Sequence, residues 1–259
     1  MICKNILKIK LKEGKVVYGT WMIIPSPTLV EIFGKAGMDF VIFDLEHGPI
    51  TYQTSEDMVR AADVVNCTPL LRVPHNLNHE ILRALEIGCG GVVVPSIEDA
   101  EEARNAVKAM KYNPMGIRGV SPWTRSAGYH SVGQKDRTQV TNDETLSILL
   151  VESVEAINNI ETIIEVPNID VLYIGTYDLS QSLGITDDLY NPQILNILEK
   201  SLKMIRDAGI AGGVLAQSEK DAKNWIDMGA QFIPLMADVG LIYTFVKEKF
   251  DCLKALPRR

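Results

Sequence analysis

The chain has 259 residues, of which 46% are hydrophobic and 23% are charged, and its net charge is −7. This length holds one large domain or two small ones, and the composition is that of a folded globular protein rather than a disordered one. The acidic balance argues against a broad surface for nucleic acid or for an acidic membrane.

Cysteine usage and hydropathy point to the cell interior. The four cysteines are Cys3, Cys67, Cys89 and Cys252, and no two of them have the CxxC spacing of a zinc or redox pair. No secretory signal precedes them, and no apolar run reaches the roughly 18 residues of a membrane helix. We therefore expect reduced cysteines in a cytoplasmic protein that binds neither nucleic acid nor membrane.

Short runs rich in Val, Ile and Leu alternate along the chain with amphipathic stretches. The runs predict eight strands, at residues 17–24, 40–45, 69–73, 91–95, 147–151, 171–174, 212–215 and 232–235. The stretches between and after them predict eight helices, at residues 27–36, 55–65, 79–87, 100–110, 154–166, 192–208, 219–228 and 239–256. Eight such repeats predict an α/β protein with one domain over residues 1–259, a closed (β/α)8 TIM barrel. A doubly wound open sheet is the alternative.

Residues 112–144 interrupt this alternation. They contain several Gly and Pro residues with little periodicity, and they are too long for a plain connection. Because the segment follows the fourth helix, it begins on the face opposite the carboxyl ends of the strands. We interpret it as an interface or a lid, with an unstructured insertion as the alternative.

The carboxyl ends of the strands carry the reacting groups in enzymes with this fold. The chemically useful residues there are His47 after the second predicted strand, Arg72 after the third, Pro95 and Ser96 after the fourth, Glu152 after the fifth, and Gly175, Thr176 and Asp178 after the sixth. One histidine, one arginine and two carboxylates are thus predicted to meet at one mouth of the barrel.

Glu152 and Asp178 are the candidate metal ligands. Two carboxylates without a third protein ligand suit a hard cation such as Mg²⁺ or Mn²⁺, which keeps positions for water and substrate oxygens. A 2-oxo acid offers two such oxygens. Each carboxylate could instead cap a helix or form an ion pair. Asp44 and Glu46 also lie near the mouth, but we leave them out of the metal site because strand alternation points them differently.

The remaining polar groups fit enolate chemistry. His47 suits acid–base transfer near neutral pH, although a capping role is the alternative. Arg72 could bind a substrate carboxylate or stabilise an enolate oxygen, or simply pair with a carboxylate. A Schiff-base aldolase needs a lysine at the mouth, yet no predicted strand ends in one, and the nearest candidate, Lys220, lies in a helix. The pattern favours metal-assisted enolisation.

Six motifs occur in order along almost the whole chain: Gly19-Thr20-Trp21, Asp44-Leu45-Glu46-His47-Gly48-Pro49, Leu71-Arg72-Val73-Pro74, Gly91-Val92-Val93-Val94-Pro95, Pro114-Met115-Gly116-Ile117-Arg118-Gly119-Val120 and Asp178-Leu179-Ser180. Together they resemble the HpcH/HpaI aldolase family from about residue 18 to residue 250. A set of this size is much more specific than any single motif.

The resemblance implies a class II pyruvate aldolase that reversibly cleaves 4-hydroxy-2-oxo acids to pyruvate and an aldehyde. It implies that Glu152 and Asp178 hold a divalent metal, Mg²⁺ or Mn²⁺, with Co²⁺ or Zn²⁺ possible. His47 matches the acid–base histidine and Arg72 the enolate-stabilising arginine. Glu86 stands where the type member has an aspartate that supports the histidine of an adjoining subunit.

Substrate contacts are expected from Arg72, Asp178 and the neighbouring residues Pro95, Ser96, Gly175 and Thr176. The family assembles as a homohexamer, a trimer of dimers, in which the last helix, residues 239–256 here, is exchanged between partners. Two alternatives stay open. An acyl-CoA lyase or oxaloacetate decarboxylase of the related citrate lyase group would share the metal-bound enolate chemistry. A catalytically silent barrel that acts as a scaffold would lack it.

Two departures from the family concern the aldehyde. The usual Gly-Pro-(Ala/Asn)-Asp-Leu turn reads Gly175-Thr176-Tyr177-Asp178-Leu179, and the loop at residues 121–125 is also individual. We expect the aldehyde to bind near Ala216-Gln217 and Met236-Ala237-Asp238. These strand ends lack a second arginine, which disfavours a carboxylate-bearing aldehyde and leaves a sugar-like hydroxyaldehyde open.

Overall fold

The computed structural model describes residues 4–130, 136–186 and 188–256. Eight parallel strands close into a barrel in chain order, with β8 returning to pair with β1. The strands are β1 (Val17–Met22), β2 (Phe40–Asp44), β3 (Thr68–Arg72), β4 (Gly91–Val94), β5 (Leu146–Val151), β6 (Val171–Ile174), β7 (Ala211–Val214) and β8 (Ala230–Ala237). The predicted (β/α)8 barrel is confirmed, and the open sheet is wrong.

Twelve helices accompany the strands in the described residues. They are α1 (Ile6–Lys12), α2 (Pro27–Lys35), α3 (Tyr52–Val64), α4 (Asn78–Glu86), α5 (Ala100–Met110), α6 (Arg137–Glu144), α7 (Val154–Asn158), α8 (Ile160–Ile163), α9 (Thr176–Ser182), α10 (Pro192–Asp207), α11 (Glu219–Asp227) and α12 (Asp238–Lys254). Within that part of the chain, none of them has both the length and the hydropathy that a bilayer span requires.

The single helix predicted at residues 154–166 is wrong, because the chain breaks there into α7 and α8. The break falls at Asn159, whose side-chain amide donates to the Glu98 carbonyl oxygen at 2.9 Å. Asparagine competes for hydrogen bonds with the helical backbone, so it is tolerated better at a helix end than inside one. The short helices α1, α6 and α9 were not predicted from the periodicity.

The barrel interior is filled by a column of aromatic rings. Phe40 and Phe232 stack with their centroids 4.1 Å apart, and Phe232 meets Tyr173 edge to face at 6.2 Å. Tyr173 in turn meets Trp21 edge to face, with the ring centroids 5.9 Å apart, and the Trp21 ring lies under the Arg72 guanidinium. The column thus ends directly beneath Arg72 at the carboxyl ends of the strands. A second, larger apolar layer lies between the strands and the outer helices.

Helix α1 closes the opposite end of the barrel, which we call the floor. Lys8 donates to the Thr145 carbonyl and to the Asp170 carboxylate, both at 2.9 Å. The fully buried Lys111 donates to the carbonyls of Asn142 and Thr145 at 2.8 and 2.9 Å. Burial, with a smaller contribution from Lys8, lowers the pKa of Lys111 to about 8.

The segment that interrupts the repeats runs over the outside of α3 and α4. Arg118 forms an ion pair of 2.7 Å with Glu86, and Arg125 pairs with Asp63 near the end of α3. Helix α6 then leads into β5. Residues 131–135 lie outside the described residues, and the lid or interface role of the segment stays a prediction.

Candidate active site

Side chains from β2 to β6 meet at the carboxyl ends of the strands. The ladder pairs Asp44 of β2 directly with Arg72 of β3, and it carries β5 beside β4 and β6. In a closed parallel barrel, residues that follow neighbouring strands point into one mouth. The structure therefore brings together Arg72, Glu152 and Asp178 with the loop that carries His47.

Arg72 is held by a bidentate ion pair. Its Nε and Nη2 donate to the two carboxylate oxygens of Asp44 at 3.0 and 2.7 Å, and its Nη1 lies 2.9 Å from Glu46 Oε2. The centroid of the Trp21 ring lies 4.6 Å from the guanidinium carbon. A guanidinium has five N–H donors, so the three that these contacts use leave two for a ligand.

Asp44 also shapes the loop that follows β2. Its Oδ1 accepts the backbone N–H groups of Glu46 and His47 at 3.0 and 3.2 Å. Burial raises the pKa of Glu46, and the neighbouring Arg72 opposes that rise. The His47 side chain itself is exposed at the mouth. One buried carboxylate thus orients both the guanidinium and the histidine loop.

Glu152 is fixed through one oxygen and open at the other. Its Oε1 accepts the backbone N–H of Ser96 at 2.8 Å, and Ser96 has the left-handed φ of 54°. A Cβ on Gly175 would lie 2.7 Å from Glu152 Oε2, so a larger residue at position 175 would push against the carboxylate. Burial raises the pKa of Glu152, the Ser96 N–H opposes that rise, and Asp178 adds to it.

Asp178 lies in the first turn of α9, immediately after β6, and its side chain is exposed. Thr176 and Pro95 are buried, and Ser96 is exposed. Of the predicted substrate-binding residues, Arg72, Ser96 and Asp178 therefore present polar groups at the mouth.

Glu86 does not lie with these groups within one chain. It is the last residue of α4, and a helix that returns antiparallel to its strand ends near the floor. It is paired there with Arg118 and lies 3.5 Å from Ser126 Oγ. Among the described residues its buried Oε2 has no hydrogen-bond partner. A supporting role for Glu86 toward His47 therefore requires a second chain.

The carboxylates at the mouth could hold a metal only together with further ligands. In the described ranges 4–130, 136–186 and 188–256, no group of three His, Cys, Asp or Glu side chains is arranged to hold an ion. The two carboxylates of Glu152 and Asp178, with the open Oε2 beside Gly175, fit a hard cation that completes its shell with water and substrate. The residues present therefore suit a site shared with substrate and not a closed structural one.

Some residues of the mouth were not assigned a role from the sequence. Asp44 and Glu46 stand at a strand end, but nothing in their spacing showed that they would hold Arg72. Tyr190 lies in the loop between α9 and α10, where the sequence has no periodic signal. Conversely, Asp238 is buried and accepts the backbone N–H groups of Ile23 and Ile24, which is a structural role.

Comparison with known proteins agrees with this geometry. A model of the HpcH/HpaI aldolase/citrate lyase family matches residues 18–244. A 4-hydroxy-2-oxo-heptane-1,7-dioate aldolase from Shigella sonnei (strain Ss046) is 32% identical over 240 residues, which cover 92% of this chain and 91% of that protein.

Solved structures give the same result. An HpcH/HpaI aldolase from Desulfitobacterium hafniense DCB-2 has a TM-score of 0.91 and 30% identity, with 97% of each chain covered. An HpcH/HpaI aldolase/citrate lyase family protein from Burkholderia cenocepacia J2315 has a TM-score of 0.92 and 27% identity, with 97% of this chain and 100% of that chain covered. The predicted class, a carbon–carbon lyase of the aldolase type, is confirmed. By sequence and by fold, the chain belongs to the HpcH/HpaI aldolase/citrate lyase family.

Proposed function

We propose that this aldolase is metal-dependent and cleaves 4-hydroxy-2-oxo acids reversibly to pyruvate and an aldehyde. The observation that carries the proposal is the state of Glu152, whose Oε1 accepts the Ser96 N–H while Oε2 lies beside Gly175 and makes no hydrogen bond among the described residues. Asp178 is close enough to raise the pKa of Glu152, which means that the two negative charges repel each other. A cation bound between the two carboxylates would relieve that repulsion.

Glu152 and Asp178 would hold the divalent metal, for which Mg²⁺ and Mn²⁺ suit the oxygen ligands best and Co²⁺ or Zn²⁺ are further candidates. When bound, the cation would supply Lewis-acid stabilisation of the negative charge that builds on the 2-oxo acid. Ser96 and Gly175 keep one Glu152 oxygen fixed and the other accessible for this purpose.

Arg72 and His47 would act on the substrate directly. The two N–H groups that Arg72 has left would donate to the 2-oxo oxygen, where enolate charge develops. In cleavage, His47 accepts the proton of the 4-hydroxyl group as the bond between C3 and C4 breaks. The electron pair moves into the enolate, C4 becomes the aldehyde carbonyl, and a proton then enters at C3 to give pyruvate.

The assembly is proposed to be a homohexamer, a trimer of dimers, with α12 exchanged between partners. Support comes from a row of exposed apolar side chains on that helix and just after it: Val239, Ile242, Tyr243, Phe245, Val246, Phe250, Leu253 and Leu256. A surface helix normally hides such a face. Only a second copy could also bring Glu86 to His47. Light scattering of the wild type against Phe245→Glu/Phe250→Glu tests this, since the double variant should form smaller species.

A cytoplasmic setting is also proposed. Cys67 and Cys89 are free and buried, and burial raises the pKa of Cys67 to about 12 and that of Cys89 further. Thiols in this state are poor nucleophiles and stay reduced. Cys3 lies outside the described residues.

The test of the proposed function is exchange of the pyruvate methyl protons into deuterated water, followed by NMR with and without Mn²⁺. Enolisation needs no assumption about the aldehyde. Exchange that requires both the metal and Glu152, judged against Glu152→Ala, supports the proposal. Absence of exchange with metal bound would overturn it and favour a different 2-oxo acid or a scaffold. Turnover of a coenzyme A thioester would favour the lyase alternative.

A further inference from the structure

The mouth has a second side that the proposed chemistry does not use. Tyr177 follows β6 and Gln217 follows β7, and Gln217 Nε2 donates to the Tyr177 hydroxyl oxygen at 2.9 Å. This bond joins two neighbouring strand ends next to Asp178. Tyr190 stands behind it, with its hydroxyl 3.0 Å from each Asp221 carboxylate oxygen.

We infer that Tyr177, Gln217 and Tyr190 form an acceptor wall that selects an uncharged hydroxyaldehyde over a carboxylate-bearing one. The inference rests on the proposed function, because it identifies the class of aldehyde that adds to the pyruvate enolate. It makes no change to the enolate chemistry proposed above.

Exposure makes the wall accessible. Tyr177 and Tyr190 are 54% and 53% exposed, although the Tyr177 hydroxyl accepts from Gln217 and the Tyr190 hydroxyl donates to Asp221. Tyrosine rings left this open on a rigid frame are suited to contact a ligand. Tyr177 is also one of the two positions, with Thr176, at which the chain departs from the family turn, so the wall is a property of this chain and not of the fold.

The hydrogen-bonding capacity of the wall matches hydroxyl groups. Tyr177 accepts from Gln217, so it keeps its own O–H to donate, and Gln217 keeps Oε1 to accept. Tyr190 spends its proton on Asp221 and keeps lone pairs. A hydroxyl on the carbon next to the aldehyde both donates and accepts, and can therefore satisfy both kinds of group.

Charge at the wall disfavours an anionic acceptor. Asp221 is buried behind Tyr190 and also accepts the Gln217 backbone N–H at 3.0 Å. Across the described residues, no arginine or lysine makes a hydrogen bond or ion pair with these four side chains. A carboxylate-bearing aldehyde would lie near the buried Asp221 charge, which no lysine or arginine of the described residues neutralises.

The bond that forms is the same for every acceptor. The methyl carbon of the pyruvate enolate attacks the aldehyde carbon, the carbonyl electron pair moves to the aldehyde oxygen, and that oxygen takes up the proton that the methyl group released. The acceptors differ only in the groups that meet the wall, so the ratio of their rates measures the wall.

The experiment compares kcat/KM for condensation of pyruvate with glyceraldehyde, propanal and 4-oxobutanoate, alongside the methyl-proton exchange of the wild type. We expect the wild type to prefer glyceraldehyde to both other aldehydes by about tenfold or more. Tyr177→Phe should lower the ratio of glyceraldehyde to propanal by about five- to tenfold, the effect of one lost hydrogen bond. Tyr18→Phe, at the amino end of β1, is the matched control and should leave the ratio unchanged.

Two outcomes would overturn the inference while the exchange is intact. One is a wild-type preference for 4-oxobutanoate, and its loss in Lys220→Met would then assign the carboxylate to Lys220 in the first turn of α11. The other is an unchanged ratio in both Tyr177→Phe and Gln217→Leu. Failure of the exchange itself would instead overturn the proposed function, so the two failures are distinguishable.

Discussion

The floor and the mouth of this barrel both bury charge, but they balance it differently. At the floor, the ammonium groups of Lys8 and Lys111 meet backbone carbonyls and Asp170. At the mouth, the guanidinium of Arg72 contacts Asp44 and Glu46. The carboxylates of Glu152 and Asp178 make the electrostatic potential there more negative.

The difference separates stability from function. Buried polar groups that are fully partnered stabilise one structure, whereas groups left with open positions cost stability and serve ligands. On this reading, substitutions at the mouth should alter catalysis more than folding, and substitutions at the floor should do the reverse. The following predictions test that contrast, beginning with the largest expected effect.

Glu152→Gln should reduce metal-dependent exchange of pyruvate methyl protons by about 1000-fold, because the amide keeps the shape but loses the charge that would hold a cation. The free energy of unfolding should stay the same or rise, since burial and Asp178 already disfavour the charged form. NMR exchange and urea unfolding measure the two quantities. Glu155→Gln, exposed on α7, is the control. Full exchange in Glu152→Gln would remove the carboxylate from the chemistry.

Arg72→Lys should reduce the same exchange by about 100-fold and the free energy of unfolding by about 2–3 kcal/mol. A lysine keeps one charge, but it cannot make the two-pronged contact with Asp44 or lie flat on Trp21. Arg83→Lys, on the exposed side of α4, is the matched control. Wild-type behaviour of Arg72→Lys in both measurements would show that the fork is dispensable.

Lys111→Met tests the floor through pH. The pKa of Lys111 falls from 10.5 in the unfolded chain to about 8 in the folded one, so between these values the unfolded chain binds more protons. The wild-type free energy of unfolding should therefore rise relative to the variant from pH 8 to 10.5, by up to about 3 kcal/mol, and the difference should be constant below pH 8.

Urea unfolding at intervals of one pH unit measures this difference, with the exposed Lys108→Met as control. A difference that stays flat or falls above pH 8 would mean that Lys111 keeps its proton when buried.

Lys8→Met should lower the free energy of unfolding by about 1–2 kcal/mol, because it leaves the partly buried Asp170 without its cation. The exchange of pyruvate protons should not change, since α1 lies at the other end of the barrel from Arg72. Lys10→Met, which breaks the more exposed pair with Asp39, should have a smaller effect. A loss of exchange in Lys8→Met would show that floor and mouth are coupled.

The contrast also shows what can be read from a sequence. Alternating apolar runs fix where strands and helices occur, because each must bury one face, and the eight-fold repeat leads to a closed barrel. Residues after each run then fall at one mouth, which is why the sequence alone predicts that Arg72, Glu152 and Asp178 lie together there. The family was also identified from motifs alone and is confirmed by the relatives.

Other features depend on side chains that are distant in the chain. The pairing of Asp44 with Arg72 follows from the register of β2 against β3. The break at Asn159 follows from its bond to the Glu98 carbonyl. No local pattern encodes either one, because each needs two segments to pack first.

The sequence by itself determined the barrel and the family, and it predicted which strand ends carry the site, since these follow from periodicity and from motifs whose order along the chain is preserved. Only the tertiary structure decided which oxygen of Glu152 accepts the Ser96 N–H, that Glu86 lies away from His47 in its own chain, and that Gln217 bonds to Tyr177. These are distances between groups on different elements, and packing sets them rather than local propensity.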